Sequence, residues 1–373
     1  MPDLFEPVTM GDLRLANRIV MAPMTRSRAD ARGVINASAR EYYGSRSSAG
    51  LLITEAVNIG PMSNAFDRAP GIWTDAQVEG WKPIVDHVHD KGGRIIAQLW
   101  HGGRASARGI LDDRQPVSPS GVNDDLDHLQ VWALLANGAY VKIAATPSRA
   151  MTLDDIGTVV REFHVAAANA ARAGFDGVEI HGANGYLIHE FLSSTLNRRD
   201  DAYGGSPEGR ARFLREVIAA VADAMPLPRV GLRLSPFADY NNVRDPDPGT
   251  TYGNLARWLE GAGLAYLHIA DTNAWSGSPD YDRLIPLIRA HYRGPLIVNG
   301  GIAPERAAEI VGRGDADAVA FGRLFLANPD LAERIRRGGP YNTPRPIGAY
   351  GGGDNGYLDY PTLDATAVAA SAA

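Results

Sequence analysis

Two rhythms of apolar and polar positions run along this chain. Eight short runs rich in branched and aromatic residues read as buried strands: RIVMAP (18–23), LLITEA (51–56), RIIAQLW (94–100), GVEIHG (177–182), VGLRLSP (230–236), YLHIAD (266–271), PLIVNG (295–300) and AVAFGR (318–323). Between them lie longer stretches with the apolar spacing of one helix face, at 74–91, 155–174, 206–225 and 303–314. Ser206, Pro207 and Glu208 form a helix start, with proline at the first helical position. Alternating strand and helix predicts a parallel sheet. Eight such units predict closure into a (β/α)8 or TIM barrel, a fold of roughly 250 residues. The alternative is an open doubly-wound sheet. Against it, the first strand run ends in APMT and not in a glycine-rich turn.

The surplus length has three destinations. The opening PVTMGDLRLANRI reads as a short hairpin turning at Gly11–Asp12, placed to plug the bottom of the barrel. A long segment separates Trp100 from Asp155, and a capping insertion is expected over about 105–152. Inside it, apolar runs flank Asn137–Gly138, a pair suited to a two-residue hairpin turn because both positions need positive φ. This insertion leaves the end of strand three, so it should overhang the face where barrel enzymes keep their active sites. The segment NTPRPIGAYGGGDNGYLDYP follows strand eight and can return over the same face. The barrel domain is expected to occupy 1–361, with 362–373 a disordered tail.

Composition narrows the chemistry. The chain has 373 residues and a net charge of −6, and its basic residues do not cluster, so neither nucleic acid nor a membrane surface is an expected partner. There is no cysteine, which excludes disulfides, thiolate metal sites and a cysteine nucleophile. The N-terminus is not a signal peptide and no apolar run approaches spanning length, so a cytoplasmic protein, monomeric or a small homo-oligomer, is expected.

Barrel chemistry lives at the carboxyl ends of the strands. The lysines are Lys82, Lys91 and Lys142, none at a strand end, which argues against a Schiff-base aldolase. His181 and His189 lie across a turn and make a poor ligand pair, so no metal site is expected. Strands seven and eight end in NGG and FGR. In barrels this corner commonly binds phosphate through backbone N–H groups, although glycines there can also serve only as tight turns. Gln98 offers a donor and an acceptor to a planar ligand. Arg233, in GLRLSP, puts a permanent cation inside the barrel mouth. Either Glu179 on the neighbouring strand neutralises it, or a ligand that becomes anionic does, and a reduced flavin fits the second case. GGGDNG (351–356) matches a dinucleotide fingerprint only in letters, since it follows no strand run and opens no helix. The stretch GVEIHGANGYLIHEFLSS places His181, Asn184 and Tyr186 at one strand-to-helix corner. A helix cap with packed neighbours is one explanation of them.

RIVMAPMTRSRA, TEAV, AQLWHGGR, GVEIHGANGYLIHEFL, GLRLSP, NGG, FGR, NPDL and YGGGDNGYLDYP together resemble the old yellow enzyme family, from about Leu4 to Pro361. The set is similar to the branch that includes bacterial N-ethylmaleimide and nitroester reductases, with the His/Asn pattern. The resemblance implies FMN as bound cofactor and NADPH or NADH as hydride donor. It implies that Pro23, Met24, Thr25 and Ala56 lie along the flavin, that Gln98 and Arg233 hold its pyrimidine edge, and that Gly300, Gly301, Gly322 and Arg323 hold its phosphate. His181 and Asn184 would grip the oxygen of a small-molecule substrate and Tyr186 would be the proton donor. Phe66, Trp100, Trp275 and Tyr350 would line the pocket.

The implied reaction is reduction of the activated C=C bond of α,β-unsaturated carbonyl compounds, maleimides and nitroalkenes. Physical reasoning agrees: two donors on a carbonyl oxygen stabilise the charge that hydride addition sends there, and the α-carbon then needs an acid. Three rivals stay open at this point: a flavin-dependent demethylase or dienoyl reductase, a flavin-free phosphate-binding aldolase or isomerase barrel, and an idle binding protein. The first usually carries an iron–sulfur domain, which a chain without cysteine cannot ligate.

Overall fold

The structure is a computed structural model that describes residues 2–272, 279–345 and 348–364. Eight parallel strands close in chain order: β1 (Ile19–Met21), β2 (Leu51–Asn58), β3 (Ile95–Trp100), β4 (Gly177–Gly182), β5 (Val230–Leu234), β6 (Tyr266–Ala270), β7 (Leu296–Asn299) and β8 (Ala318–Phe321), with β8 pairing back to β1. Each expected strand run is a barrel strand. The strands are buried along their whole length, one face against the barrel interior and one against the helices, and apolar residues dominate them.

Helices follow from caps as well as from spacing. Thr74 accepts from Gln77 N–H while the Gln77 side chain accepts from Thr74 N–H, which starts the helix Asp75–Asp90. Thr152 and Asp155 form the same box, so the next helix runs Leu153–Arg172 and starts two residues before the apolar spacing alone indicated. The stretch 206–225 is two pieces, Pro207–Arg210 and Arg212–Ala222.

The N-terminal hairpin pairs Val8–Met10 with Leu13–Leu15, and Gly11 at its tip has φ +57. An added Cβ at Gly11 would meet the Pro228 carbonyl at 2.2 Å, so glycine is required by contact as well as by φ. Met10, Leu13 and Leu15 are buried against Val20, Ile53, Ile96 and Ile297, closing the bottom of the barrel.

The insertion after β3 carries a second hairpin, Gln130–Leu134 with Tyr140–Ala144. Its turn differs from expectation. Gly138 has φ +83, but Asn137 does not enter the left-handed region. Leu135 N–H donates to the Ala139 carbonyl and the Asn137 side chain accepts from Ala139 N–H, which makes a three-residue loop. The hairpin is tied over the barrel mouth by Asp67 N–H to the Trp132 carbonyl (2.9 Å) and by the Tyr140 hydroxyl to the Asp67 carbonyl (2.9 Å).

The C-terminal segment also returns over the mouth. Gly351 N–H donates to the Arg26 carbonyl, and the Tyr357 ring stacks on Tyr42 at 4.2 Å. Leu363 N–H donates to Asp330 (2.7 Å), fixing the chain that far. Residues 365–373 of the expected tail lie outside the described residues. Among the described residues no helix is long and apolar enough to cross a membrane.

Candidate active site

At the carboxyl ends of the strands lies a cavity of about 650 Å³. Of the residues expected to bind cofactor, Pro23, Met24, Thr25, Ala56, Gln98, Arg233, Gly300, Gly301, Gly322 and Arg323 all line it. So do Phe66, Trp100, His181, Asn184, Tyr186 and Tyr350. Trp275 falls outside the described residues.

The β1 end is held from behind. Glu55 on β2 is buried, and its Oε2 accepts from the backbone N–H of Arg26 (2.9 Å) and Ser27 (3.2 Å). A register irregularity between Ile53 and Ala56 lets consecutive β2 residues serve both sides, with Ala56 turned to the cavity.

The barrel centre holds a buried polar network. Gln98 and Glu179 are in register across β3 and β4, and Gln98 Nε2 donates to Glu179 Oε1 at 2.8 Å. The other carboxylate oxygen accepts from the Tyr266 hydroxyl (3.0 Å) and His268 Nδ1 (2.8 Å). Burial alone would raise Glu179, but His268, Arg233 and these hydrogen bonds hold it below its ordinary value, so it is ionised.

Arg233 does not pair directly with Glu179 as the sequence reading allowed. Its Nη1 meets His268 at 2.5 Å and its Nη2 donates to Asn299 Oδ1 at 2.8 Å. Burial pulls the guanidinium below its ordinary value, only partly offset by the Glu179 charge. Its Nε is buried without a partner. A buried cation with an orphaned donor beside an open cavity suits a ligand with acceptor atoms or negative charge.

His268, Tyr266 and Asn299 were not picked out by sequence reasoning as functional. The signal was available: Tyr266 and His268 are two apart on one apolar strand, hence on one face, and that face is the barrel interior. Tyr240, from the loop after β5, also lines the cavity and was missed.

The β4 corner is shaped by its backbone. Asn184 has φ +58 and Gly185 φ +73, and a Cβ on Gly185 would lie 2.4 Å from the Tyr240 carbonyl. Asn184 N–H donates to Ser235 Oγ (2.8 Å), and its carbonyl accepts from Asn241 Nδ2 (3.0 Å). Asn184 thus occupies a strained conformation held on both sides. Its side-chain Oδ1 is buried and unpartnered.

His181 Nδ1 accepts from Ala183 N–H at 3.3 Å, which leaves the proton on Nε2. Burial, with Arg233 nearby, keeps the imidazole well below its ordinary value, so it is neutral. Tyr186 stands edge-on to His181 (5.2 Å) and to Trp100 (5.1 Å), and burial pushes its phenol well above the ordinary value. Phe66 and Tyr350 close the aromatic wall with rings 5.6 Å apart. Among the described residues no group of three or more His, Asp or Glu could hold a metal.

This arrangement has known relatives. Residues 3–342 match the model of the NADH:flavin oxidoreductase / NADH oxidase family. A putative 12-oxophytodienoate reductase of Oryza sativa is 42% identical over 96% of this chain and 97% of its own. A probable flavin mononucleotide-dependent alkene reductase of Leishmania infantum is 40% identical over 96% and 97%. The structure of morphinone reductase in complex with tetrahydroNAD superposes with a TM-score of 0.92 at 44% identity, covering 98% of each chain. The chain belongs to the NADH:flavin oxidoreductase family of TIM barrels, the old yellow enzymes. FMN is its cofactor and a nicotinamide dinucleotide its hydride donor. The cavity fits FMN on its own terms: the orphaned Nε of Arg233 and the amide of Gln98 suit a polar ring edge, and Gly300, Gly301, Gly322 and Arg323, which line the same cavity, suit a phosphate.

Proposed function

We propose that this protein is an NAD(P)H-dependent ene-reductase that saturates the activated C=C bond of α,β-unsaturated carbonyl compounds, maleimides and nitroalkenes. The observation that carries this reading is the fixed, neutral donor at His181 beside Asn184 and Tyr186 in one cavity.

Bound FMN supplies hydride chemistry, charged by NADPH or NADH and discharged on the alkene. The residues do the rest. His181 Nε2–H and the Asn184 carboxamide donate to the substrate's carbonyl or nitro oxygen. A neutral donor pair polarises the alkene and stabilises the oxyanion as it develops, without placing a full charge in the ground state. The strained backbone at Asn184, pinned by Ser235 and Asn241, fixes the second donor before substrate arrives. The Tyr186 phenol holds a proton at neutral pH and delivers it to the α-carbon. Gln98 and Arg233 hold the cofactor's polar edge, and Arg323 its phosphate. Phe66, Trp100 and Tyr350 exclude water around the reacting carbons.

The name of the Leishmania relative, an alkene reductase, supports the reaction class. The tetrahydroNAD bound to morphinone reductase supports a nicotinamide donor. The test is anaerobic incubation with NADPH or NADH and 2-cyclohexenone, N-ethylmaleimide or a nitrostyrene, with products read by gas chromatography. Saturated product from at least one class is expected. Nicotinamide oxidation without any saturated product sinks the proposal.

A further inference from the structure

The chain after β6 meets the glycine corner after β7 at two points. Gly300 has φ +133, and a Cβ added there would lie 2.4 Å from the Asp271 carbonyl oxygen and 2.8 Å from the Tyr281 hydroxyl. The Tyr281 hydroxyl donates to the Gly300 carbonyl. Gly300 and Gly301 line the cavity, whereas Tyr281 is buried behind them in the core around the barrel.

Tyr281 is itself fixed in place. Asp280 N–H donates to the Asp271 carboxylate (2.7 Å), and Asp280 Oδ1 accepts from Arg283 N–H (3.1 Å), which caps the helix Tyr281–Arg289. The glycines opposite have no such restraint of their own. Without a Cβ, a glycine pair admits more than one orientation of the peptide between its members.

The orientation matters for anion binding. A trans peptide points its C=O and its N–H to opposite sides. A Gly300 carbonyl held by Tyr281 therefore turns the Gly301 N–H away from Tyr281. That N–H makes no hydrogen bond to any described residue. Gly301 shares the cavity wall with Arg323 and with Pro304, which opens the helix Pro304–Arg313. A helix start and a backbone donor together favour an anion there.

We propose that Tyr281 is a positioning residue for the cofactor phosphate: by pinning the Gly300 carbonyl it aims the Gly301 N–H at that phosphate. This rests on the glycine corner holding the phosphate of FMN. Tyr281 acts only through the peptide, so its contribution goes to FMN and not to a flavin without phosphate.

The test is titration of the full chain, freed of flavin by dialysis, with FMN and with riboflavin, which lacks the phosphate. Quenching of flavin fluorescence reports binding. Tyr281→Phe keeps the buried ring and removes only the hydroxyl, so the helix start and the barrel should stand. Its FMN affinity is expected to fall roughly 3- to 30-fold, the worth of one hydrogen bond that orients another. Riboflavin affinity should stay as in the parent, so the preference for FMN shrinks by the same factor. A merely structural role would weaken both flavins together. An unchanged preference, whether both affinities hold or both fall, overturns the assignment of Tyr281.

Gly300→Ala tests the corner with Tyr281 in place. The added methyl must displace the peptide, so the preference for FMN should shrink here as well. If the parent binds riboflavin as tightly as FMN, or if Gly300→Ala keeps the full preference, the phosphate lies elsewhere and the reading beneath fails, whatever Tyr281 does. If both behave as expected but Tyr281→Phe keeps the parent's preference, the phosphate corner stands and only the role of Tyr281 falls.

Discussion

Nδ1 of His268 lies 2.8 Å from Oε2 of Glu179, while Nε2 of the same ring meets Arg233 at 2.5 Å. One neutral imidazole thus donates to a buried carboxylate and accepts from a buried guanidinium, and burial keeps it neutral by pulling it down to about 4. The two charges are linked through His268, which leaves Arg233 Nε for the cavity.

His268→Leu removes the bridge but keeps a similar volume. The variant should lose about 3–5 kcal/mol, the cost of stranding a buried charge. Urea unfolding of parent and variant, each with excess FMN, measures this. Equal midpoints would mean that Gln98, Tyr266 and Asn299 satisfy the charges by themselves.

That bridge also marks where sequence reading stopped. The eight strands were legible because buried parallel strands are apolar on both faces, and the pocket residues because they cluster at strand ends in a distinctive order. Glu179 and Arg233 were legible as a possible pair, because strands four and five are neighbours, although the register sets His181 and not Glu179 beside Arg233. That His268 stands between them depends on how β6 docks beside β5, which no local pattern encodes. The turn at Asn137–Gly138 failed for a different reason. The letters favour a two-residue loop, but the Asn137 side chain satisfies Ala139 N–H with only Gly138 at positive φ. Tyr240 was invisible because a single tyrosine in a loop carries no signal until Gly185 brings the β4 corner against it.

Stability should peak near pH 6.5. Burial holds His181 well down, His101 and His189 at about 3, and His268 at about 4. The unfolded chain takes these protons near pH ~6.5, so their stabilising contribution is complete above that and drains away as acid is added. Glu162 and Glu190 have the opposite sign, since burial raises them to about 7 and about 8. Above pH ~4.5 the unfolded chain sheds those protons while the folded chain keeps them, so they cost stability as pH rises. Between about 7 and about 8 Glu162 is finishing its titration and Glu190 carries most of the fall, with a slope of at most about 1.4 kcal/mol per pH unit. Urea midpoints from pH 5 to 9 check the shape, and Glu190→Gln should flatten the alkaline fall. A parent midpoint that climbs steadily to pH 9 contradicts it.

Phenols should bind as dead-end ligands. A phenolate oxygen can sit between His181 and Asn184 with its ring over the flavin, giving a long-wavelength charge-transfer band. Adding p-hydroxybenzaldehyde to oxidised enzyme should tint it. In the His181→Ala, Asn184→Ala double variant, affinity should drop by roughly 100-fold or more, the loss of two hydrogen bonds to a charged oxygen. If full phenol affinity survives, the donor pair is misassigned.

Tyr186→Phe should separate the two halves of the turnover. Bleaching by NADPH takes no proton from Tyr186, so its rate should change little. Cyclohexenone reduction needs a proton at the α-carbon, and its enolate is too basic to leave the site without one. That half should slow by roughly 10²–10⁴-fold, the usual worth of general acid catalysis. A nitroalkene gives a nitronate stable enough to depart and be protonated by water, so its reduction should persist. The substitution removes one hydroxyl and leaves the ring to pack edge-on against Trp100 and His181, so the cavity wall survives. Stopped-flow measurements of both halves with both substrates decide the matter. Cyclohexenone reduced at the parent rate would move the acid elsewhere in the cavity, with the Tyr240 and Tyr350 phenols, which also line it, as the next candidates.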